Sequence, residues 1–380
     1  MRQQFFLGDS SISELLPVLR RYAPERIFLV RGKKSYVTCG AAAVMNEVCG
    51  ILRCSVTEFY DFEENPKIED VRKGLSLLVS SNSSLIVGIG GGSVLDMSKL
   101  LRFFYSYSGE ATGCKFLKEK ELLPLIALPT TAGTGSEATH FSVLYKDKIK
   151  YSVEHTDILP DVAIVYPPFT YNNPKYLTAC TGFDALAQGI ESYWNVNATE
   201  ESDEYAKRAI QLLWPNLPVA VNAPTKQARD KVSEGSYWAG RAINITKTTA
   251  PHAFSYPFTT YYGYPHGHAV ALTFPFFYKL YIDKIISRKM LFLKEVLRED
   301  VSDYIEGIGL DLILKDTIDI SEVMDKCNIS RMRNYPKNIR YSIRLDAQTE
   351  AKLKKYCEEN GITKGEAIRK GIDLLLEGKK

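Results

Sequence analysis

The chain has 380 residues, which exceeds one average domain, so we expect two large domains. Its composition, 45% apolar and 24% charged, is typical of a soluble globular protein, and its apolar runs are too short to span a bilayer. The seven cysteines form no CxxC pair, and the N-terminus lacks a signal-peptide pattern. We therefore predict a cytoplasmic protein with reduced thiols and no membrane segment.

The first half of the chain alternates strand and helix patterns. Apolar residues at Ile12, Leu15 and Leu19 predict a helix over residues 11–22, and similar periods predict helices over residues 41–53 and 68–79. This alternation argues for a doubly wound parallel sheet of the α/β class. Short apolar runs predict its buried strands over residues 26–30, 55–59, 85–88, 125–128 and 160–166.

From about residue 178 onward the apolar pattern is helical. Predicted helices cover residues 178–194, 201–221 and 227–243, and several more continue to about residue 325. We therefore predict an N-terminal α/β domain over residues 1–170 and an all-helical domain over residues 171–338.

Two loops rich in glycine and hydroxyl residues follow predicted strands. In residues 86–99, IVGIGGGSVLDMSK, the glycines let the backbone and a helix N-terminus approach a pyrophosphate. Residues 129–137, PTTAGTGSE, form either an ordinary strand-to-helix connection or the other side of a dinucleotide cradle. The candidate cofactor contacts in these loops are Gly90, Gly91, Gly92, Ser93, Asp96, Lys99, Thr130, Thr131, Thr134 and Ser136.

Candidate metal ligands come from a predicted helix and from a histidine-rich segment. Asp184 and Gln188 are four residues apart, so they share one helix face. A carboxylate, an amide oxygen and two imidazoles suit a borderline divalent metal such as Fe(II) or Zn(II). The alternative is that the histidines are ordinary core or loop residues. Residues 248–269 contain three of the chain's five histidines: His252, His266 and His268.

These features together resemble the iron-dependent (group III) alcohol dehydrogenases. The pattern of that family is a GGGSxxDxxK loop, a PTTAGTGSE loop, a DxxxH helix and two further histidines fourteen residues apart, and the match covers roughly residues 5–338. The resemblance implies a metal-dependent, NAD(P)-dependent alcohol dehydrogenase or aldehyde reductase. It further implies a Rossmann-like domain and a helical domain with nucleotide and metal in the cleft between them. The metal ligands that it implies are Asp184, Gln188, His252 and His266.

Two positions depart from the family pattern. Gln188 stands where the family usually has a histidine ligand, and a neutral amide oxygen is a weaker ligand than imidazole. The metal is then held more loosely, or a harder ion is favoured, or the glutamine is a subfamily trait. Tyr256 stands where the family often has a histidine for proton relay or substrate contact. We expect Tyr256 and His268 to take over that role.

The segments DALAQGIESYW and TKTTAPHAFSYPFTTYYGYPHGHA look most like those of phosphonoacetaldehyde reductases. Those enzymes of phosphonate metabolism reduce phosphonoacetaldehyde to 2-hydroxyethylphosphonate, and such an anionic substrate needs cations and hydroxyl groups near the metal. The alternatives are that Arg241 and Lys247 are solvated helix charges, and that the substrate is another small aldehyde or a glycerol phosphate. The candidate substrate contacts are Arg241, Lys247, Thr248, Ser192 and Asn195.

The segment after the first predicted strand bears on the choice of nicotinamide cofactor. Many family members carry an Asp there, which binds the ribose hydroxyls of NAD and repels a 2′-phosphate. In this chain the segment reads VRGKKS, which contains three cations and no acid, with Gly32, Lys33 and Ser35 as candidate cofactor contacts. We therefore expect NADPH to be accepted as well as NADH.

Residues 339–380 extend beyond the usual end of the family. The net charge of +3 arises here, because residues 340–380 contain ten Lys or Arg and seven Asp or Glu. Alternation of polar and apolar residues predicts a strand over residues 340–345, and helices are predicted over residues 347–359 and 364–377.

This tail resembles the ribbon-helix-helix repressors, in which two chains pair single strands and read the DNA major groove. The outward residues Arg340, Ser342 and Arg344 are the candidate DNA contacts, and the unpaired strand implies at least a homodimer. The alternatives are a dimerisation module without DNA contact, and a DNA-binding regulator whose dehydrogenase-like body senses a ligand.

Overall fold

The computed structural model describes residues 3–108, 116–147, 149–284, 287–298, 300–314, 318, 323 and 347–360. The chain separates into two compact units, Met1–Lys337 and Asn338–Lys380. The domain boundary near residue 170, which lies inside the first unit, stays a prediction. Among the described residues, no helix combines the length and apolar character that a membrane span requires.

The first unit is built on a six-stranded sheet in which every neighbouring pair is parallel. Its spatial order is β1–β10–β7–β4–β2–β3. The five predicted strands are confirmed, and β1 is an additional edge strand beside β10. The strands are β1 (Gln4–Leu7), β2 (Arg26–Arg31), β3 (Ser55–Phe59), β4 (Leu85–Gly90), β5 (Tyr107–Ser108), β6 (Leu117–Lys118), β7 (Leu125–Pro129), β8 (Phe141–Lys146), β9 (Ile149–Glu154) and β10 (Val162–Val165).

Both faces of the sheet are buried, which explains why its strands are continuous apolar runs. Along β2, Ile27 and Leu29 belong to one hydrophobic core, and Phe28 and Val30 belong to the core on the opposite face. Successive side chains of a strand point to opposite sides, so each strand contributes to both cores.

The helices predicted with explicit bounds in both halves are confirmed, with ends within a few residues of the expected positions. Thr199 caps the N-terminus of the helix Glu200–Asn222, and Thr225 caps the N-terminus of the helix Lys226–Thr246. Within the part of the first unit that the structure describes, the α-helices with complete bounds are α1 (Leu15–Tyr22), α2 (Ser35–Thr38), α3 (Ala41–Leu52), α4 (Ile68–Ser81), α5 (Gly92–Ser106), α6 (Lys175–Trp194), α7 (Glu200–Asn222), α8 (Lys226–Thr246), α9 (Ala250–Tyr262), α10 (His266–Lys284), α11 (Arg288–Val296) and α12 (Val301–Gly307).

Strands β8 and β9 form an antiparallel hairpin that the sequence does not predict. The segment carries several lysines, and its apolar residues do not alternate cleanly. In the hairpin Tyr145 lies opposite Lys150.

The second unit contains α13 (Ala347–Asn360), which confirms the first predicted helix of the tail. The predicted strand over residues 340–345, the helix over residues 364–377 and the candidate DNA contacts Arg340, Ser342 and Arg344 lie outside the described residues. The ribbon-helix-helix tail therefore stays a prediction.

Candidate metal and dinucleotide site

The glycine loop joins the end of β4 to the start of α5, as predicted. A Cβ on Gly90 would lie 2.5 Å from Val94, and a Cβ on Gly92 would lie 2.5 Å from Thr134 of the second loop. Glycine is therefore required for the two loops to pack together. The exposed backbone N–H groups at the start of α5 are suited to a pyrophosphate.

Asp96, Lys99 and Ser136 form a buried network beneath these loops. Lys99 Nζ donates to Ser136 Oγ (2.9 Å), and Ser136 Oγ donates to Asp96 Oδ1 (2.5 Å). Burial lowers the pKa of Lys99 to about 8, against the opposing effect of Asp96. The ammonium of Lys99, a predicted cofactor contact, is fully buried among hydroxyl and carbonyl oxygens. Lys99 instead fixes the second loop.

The loop after β2 lies beside the glycine loop, because Gly32 N donates to Ile89 O of β4 (3.2 Å). The strand that follows β2 in the chain, β3, lies on one side of it, and β4 lies on the other side. The order of strands therefore reverses between β2 and β4, and open parallel sheets bind nucleotides at such a point. Two of the three cations of this segment face carboxylates: Arg31 contacts Glu58 at 2.7 Å, and Lys33 contacts Asp61 at 3.4 Å. Their net attraction for a 2′-phosphate is therefore smaller than the sequence suggests.

The second loop also packs against α6, which carries the candidate metal ligands. A Cβ on Gly133 would lie 2.7 Å from the side chain of Thr181, and Asn173 Nδ2 donates to Thr130 O (2.9 Å). Thr181 is one helical turn before Asp184, so the dinucleotide loops and the metal ligands share one region of the molecule.

Asp184, His252 and His266 come together as the sequence predicts. Their ligand atoms all lie within 4.8 Å of one another. His252 Nε2 is 3.1 Å from Asp184 Oδ1, and His266 Nε2 is 3.8 Å from the same oxygen. Donors bound tetrahedrally at about 2.1 Å from one ion lie about 3.4 Å apart, so this arrangement fits a single divalent cation.

Gln188 completes the donor set. Its amide nitrogen donates to Asp184 Oδ2 (3.2 Å), while its buried Oε1 has no hydrogen-bond partner among the described residues. An orphaned buried oxygen is costly unless a cation or a donor satisfies it. Gln188 Oε1 is therefore suited to be the fourth ligand, and the residues present fit an Fe(II) or Zn(II) ion.

Glu191, which is not among the predicted site residues, orients His252. Its side chain forms a short hydrogen bond with His252 Nδ1 and accepts from Thr249 Oγ1 at 2.8 Å. Burial alone would lower the pKa of His252, but the carboxylates of Glu191 and Asp184 outweigh it and raise that pKa to about 10. The site thus attracts positive charge, and the hydrogen bond to Nδ1 leaves Nε2 to face a metal.

We expect Glu191→Gln to lower metal affinity by about 10- to 100-fold, because the carboxylate that orients His252 loses its charge. Metal content after dialysis against graded chelator measures the change. Glu201→Gln, an exposed glutamate of α7, is the matched control and should bind metal like the unaltered protein. Equal affinity in both variants would contradict the role assigned to Glu191.

His266 and Tyr256 form the part of the site that faces solvent. The side chain of His266 is 31% exposed, whereas Asp184 and His252 are each 4% exposed. The ring of Tyr256, one turn after His252, lies parallel to His266 at a centroid distance of 5.8 Å.

His268, a predicted proton-relay or substrate residue, lies outside the cluster of metal ligands. It follows His266 by two residues on α10, so the two side chains point about 200° apart around the helix. Its Nδ1 is 2.8 Å from the hydroxyl of Tyr176, and its Nε2 is 2.7 Å from the carbonyl oxygen of Asp311. Its hydrogen bonds make it a structural residue.

The predicted substrate contacts are also engaged elsewhere. Arg241 donates to the hydroxyls of Tyr237 and Tyr205, and Lys247 forms an ion pair with Glu154 at 2.9 Å. Nearness in sequence to His252 does not bring these cations to the ligands. The polar candidates form a buried network around the turn after α8: Thr246 donates to Ser192, Asn195 donates to the carbonyl oxygen of Lys247, and Thr248 lies half-buried in the turn.

A different cation reaches the exposed side of the site. Lys150 of the β8–β9 hairpin lies with its Nζ 3.6 Å from the ring centroid of Tyr256. Its charge contributes to the lowered pKa of His266 and, after stronger effects, to that of Asp184. Lys150 was not singled out from the sequence.

Comparison with known proteins identifies the family. The iron-containing alcohol dehydrogenase model matches residues 3–167, and the model of the C-terminal domain of the Fe-containing alcohol dehydrogenase family matches residues 178–338. Long-chain-alcohol dehydrogenase 1 of Geobacillus thermodenitrificans is 35% identical over 280 residues, covering 71% of this chain and 70% of that protein. The 1,3-propanediol dehydrogenase of Klebsiella pneumoniae is 34% identical, covering 71% of each chain.

Solved structures agree with this assignment. Sulfoacetaldehyde reductase from Bifidobacterium kashiwanohense, in complex with NAD+, superposes with a TM-score of 0.80 at 31% identity, covering 89% of this chain and 94% of that chain. The predicted α/β and helical halves and the predicted metal-dependent, NAD(P)-dependent dehydrogenase or reductase are confirmed at the level of the family. The chain belongs to the iron-containing alcohol dehydrogenase family.

Proposed function

We propose that the protein reduces a small anionic aldehyde with NAD(P)H, and that phosphonoacetaldehyde, converted to 2-hydroxyethylphosphonate, is its substrate. The observation that carries the proposal is the cluster of Asp184, His252 and His266, with a cation, Lys150, beside it. The similar protein from Bifidobacterium is named for sulfoacetaldehyde, a two-carbon aldehyde with a sulfonate. Phosphonoacetaldehyde has the same carbon skeleton with a phosphonate.

Each residue then has a role in the reaction. Asp184, Gln188, His252 and His266 would hold the metal, and Glu191 keeps His252 Nε2 directed at it. When bound, the metal supplies a Lewis acid for the carbonyl oxygen, and the nicotinamide supplies the hydride. Tyr256, whose ring lies against His266, would pass the proton from Oη through water to the product oxygen.

The substrate class is tested by NADPH oxidation with phosphonoacetaldehyde, acetaldehyde and lactaldehyde, each with and without added Fe(II). We expect phosphonoacetaldehyde to have the highest kcat/KM and all turnover to require the metal. A higher kcat/KM for a neutral aldehyde would exclude an anionic substrate and favour a general alcohol dehydrogenase.

The loop after β2 supports the use of NADPH. We expect Gly32→Asp to lower kcat/KM for NADPH relative to NADH by about tenfold or more, because an acid here repels the 2′-phosphate. Gly32→Asn is the matched control, since it adds the same bulk beside Ser35 without the charge. An unchanged cofactor ratio in Gly32→Asp would show that this loop does not face the 2′-phosphate.

For the tail we propose a ribbon-helix-helix dimer that binds DNA, supported by the position of α13. A mobility shift with the full chain, at low and high salt, tests this proposal, because phosphate contacts weaken steeply with salt. Loss of the shift in the Arg340→Ala, Arg344→Ala double variant would support DNA contact. A dimer that shifts no DNA at low salt would indicate a dimerisation module alone.

A further inference from the structure

The exposed side of the metal cluster is closed by aromatic and basic side chains from two different elements. Tyr256 of α9 covers one face of the His266 ring, and Lys150 of the hairpin lies over Tyr256 with its Nζ 3.6 Å from the ring centroid. The ring of Tyr256 therefore lies next to both Lys150 and the exposed ligand His266.

The charges of the site favour a negatively charged ligand at that position. The carboxylates of Asp184 and Glu191 balance a divalent cation, and Lys150 then adds one further positive charge. A lysine so close to a metal is unfavourable unless an anion lies between the two.

The other cations near the histidine segment contact groups outside the metal cluster. Lys247 contacts Glu154 at 2.9 Å, and both hydrogen bonds of the Arg241 guanidinium go to tyrosine hydroxyls. The positive charge of His140 lies against the same Glu154 carboxylate when that imidazole is protonated. Lys150 thus contacts the aromatic side of the metal cluster, and these groups do not.

We propose that Lys150 binds the anionic head group of the aldehyde and so sets the preference for phosphonate or sulfonate substrates over neutral ones. This proposal rests on the proposed function. The carbonyl end of the substrate lies at His266, and the ammonium of Lys150 donates hydrogen bonds to the oxygens of the phosphonate. The residue that selects an anionic substrate then belongs to the N-terminal half, and the metal ligands belong to the helical half.

The test compares Lys150→Met with Lys146→Met, which removes the same charge from an exposed position of the same hairpin. For the metal-loaded enzyme at saturating NADPH, we expect Lys150→Met to lower kcat/KM for phosphonoacetaldehyde by about 10- to 100-fold, through KM. The value for propionaldehyde should stay within about threefold, and Lys146→Met should change neither.

A binding measurement separates recognition of the anion from turnover. Ethylphosphonate has the head group but no carbonyl, and calorimetry with the metal-loaded enzyme and NADP+ should show about the same 10- to 100-fold loss of affinity in Lys150→Met. The affinity for NADPH should be unchanged, and the melting temperature of each variant reports its folding.

The outcomes that overturn the proposal are distinct from each other. If the unaltered enzyme prefers phosphonoacetaldehyde and Lys150→Met keeps that preference, the proposed function stands and the role of Lys150 is wrong. If Lys150→Met weakens NADPH binding and leaves ethylphosphonate binding intact, Lys150 contacts the dinucleotide instead. If the unaltered enzyme neither prefers phosphonoacetaldehyde nor binds ethylphosphonate, both proposals fail.

Discussion

His266→Ala is expected to lower kcat/KM for the aldehyde by about a thousandfold or more, because it removes the metal ligand nearest to the substrate. The ring lies 3.8 Å from Asp184 Oδ1 and is the most exposed of the three clustered ligands. NADPH binding should be unchanged, since the dinucleotide loops contact α6 through Gly133 and Thr130. Steady-state kinetics and fluorescence titration with NADPH measure the two effects.

His268→Ala is the matched control, because this histidine lies two residues away and faces Tyr176 and Asp311. We expect it to lower thermal stability while keeping metal content and most of the turnover. If His266→Ala and His268→Ala reduced turnover equally at full metal content, the assignment of His266 as a ligand would be wrong.

The second large effect is expected for Gly267→Ala, which changes the packing of α10 against α6. A Cβ at Gly267 would overlap the carbonyl oxygen of Cys180 and lie 2.6 Å from its carbonyl carbon. Since both atoms belong to a helix backbone, α10 must move away from α6, at a cost of about 2–4 kcal/mol. His266 would move with it, so metal affinity should fall together with the melting temperature.

Gly50→Ala is the control for this substitution. Gly50 lies in α3, where an added Cβ has no atom within 4 Å, so alanine should stabilise the protein by about 0.5–1 kcal/mol. Thermal unfolding with and without metal compares the two variants. A Gly267→Ala protein as stable and as metal-bound as the unaltered one would show that the two helices are less closely packed.

The metal cluster was predictable because its signals are local. Asp184 and Gln188 lie on one face of a single helix, and both histidines stand in one short segment. The parallel sheet was predictable for a similar reason, since strands buried on both faces are continuous apolar runs. The replacement of the usual histidine ligand by Gln188 was also visible in the sequence. In the structure its buried Oε1 has no hydrogen-bond partner among the described residues, which suits it to bind the metal.

The surroundings of several predicted site residues depend on three-dimensional relations that sequence spacing does not fix. Arg241 was assigned to the substrate because it precedes His252 in sequence, yet α8 directs it to Tyr237 and Tyr205. His268 is close to His266 in sequence, but on a helix two adjacent-but-one residues point to nearly opposite sides. Lys150 reaches the site through a hairpin whose sequence lacks clear alternation.

The sequence position of Glu191 indicates its role. It lies seven residues after Asp184, two helical turns along the same face of α6. That spacing places its carboxylate beside His252, which also contacts Asp184. An acid seven residues after a metal ligand on the same helix is therefore a candidate for the carboxylate that orients a histidine ligand.

The most direct test of the metal site is anaerobic titration of chelator-treated protein with Fe(II), with bound metal and NADPH-linked aldehyde reduction measured at each point. We predict that turnover rises in proportion to bound metal and saturates at about one ion per chain. In the Asp184→Asn, His266→Ala double variant both signals should be lost. Full turnover in the metal-free protein, or unchanged metal binding in the double variant, would contradict this account.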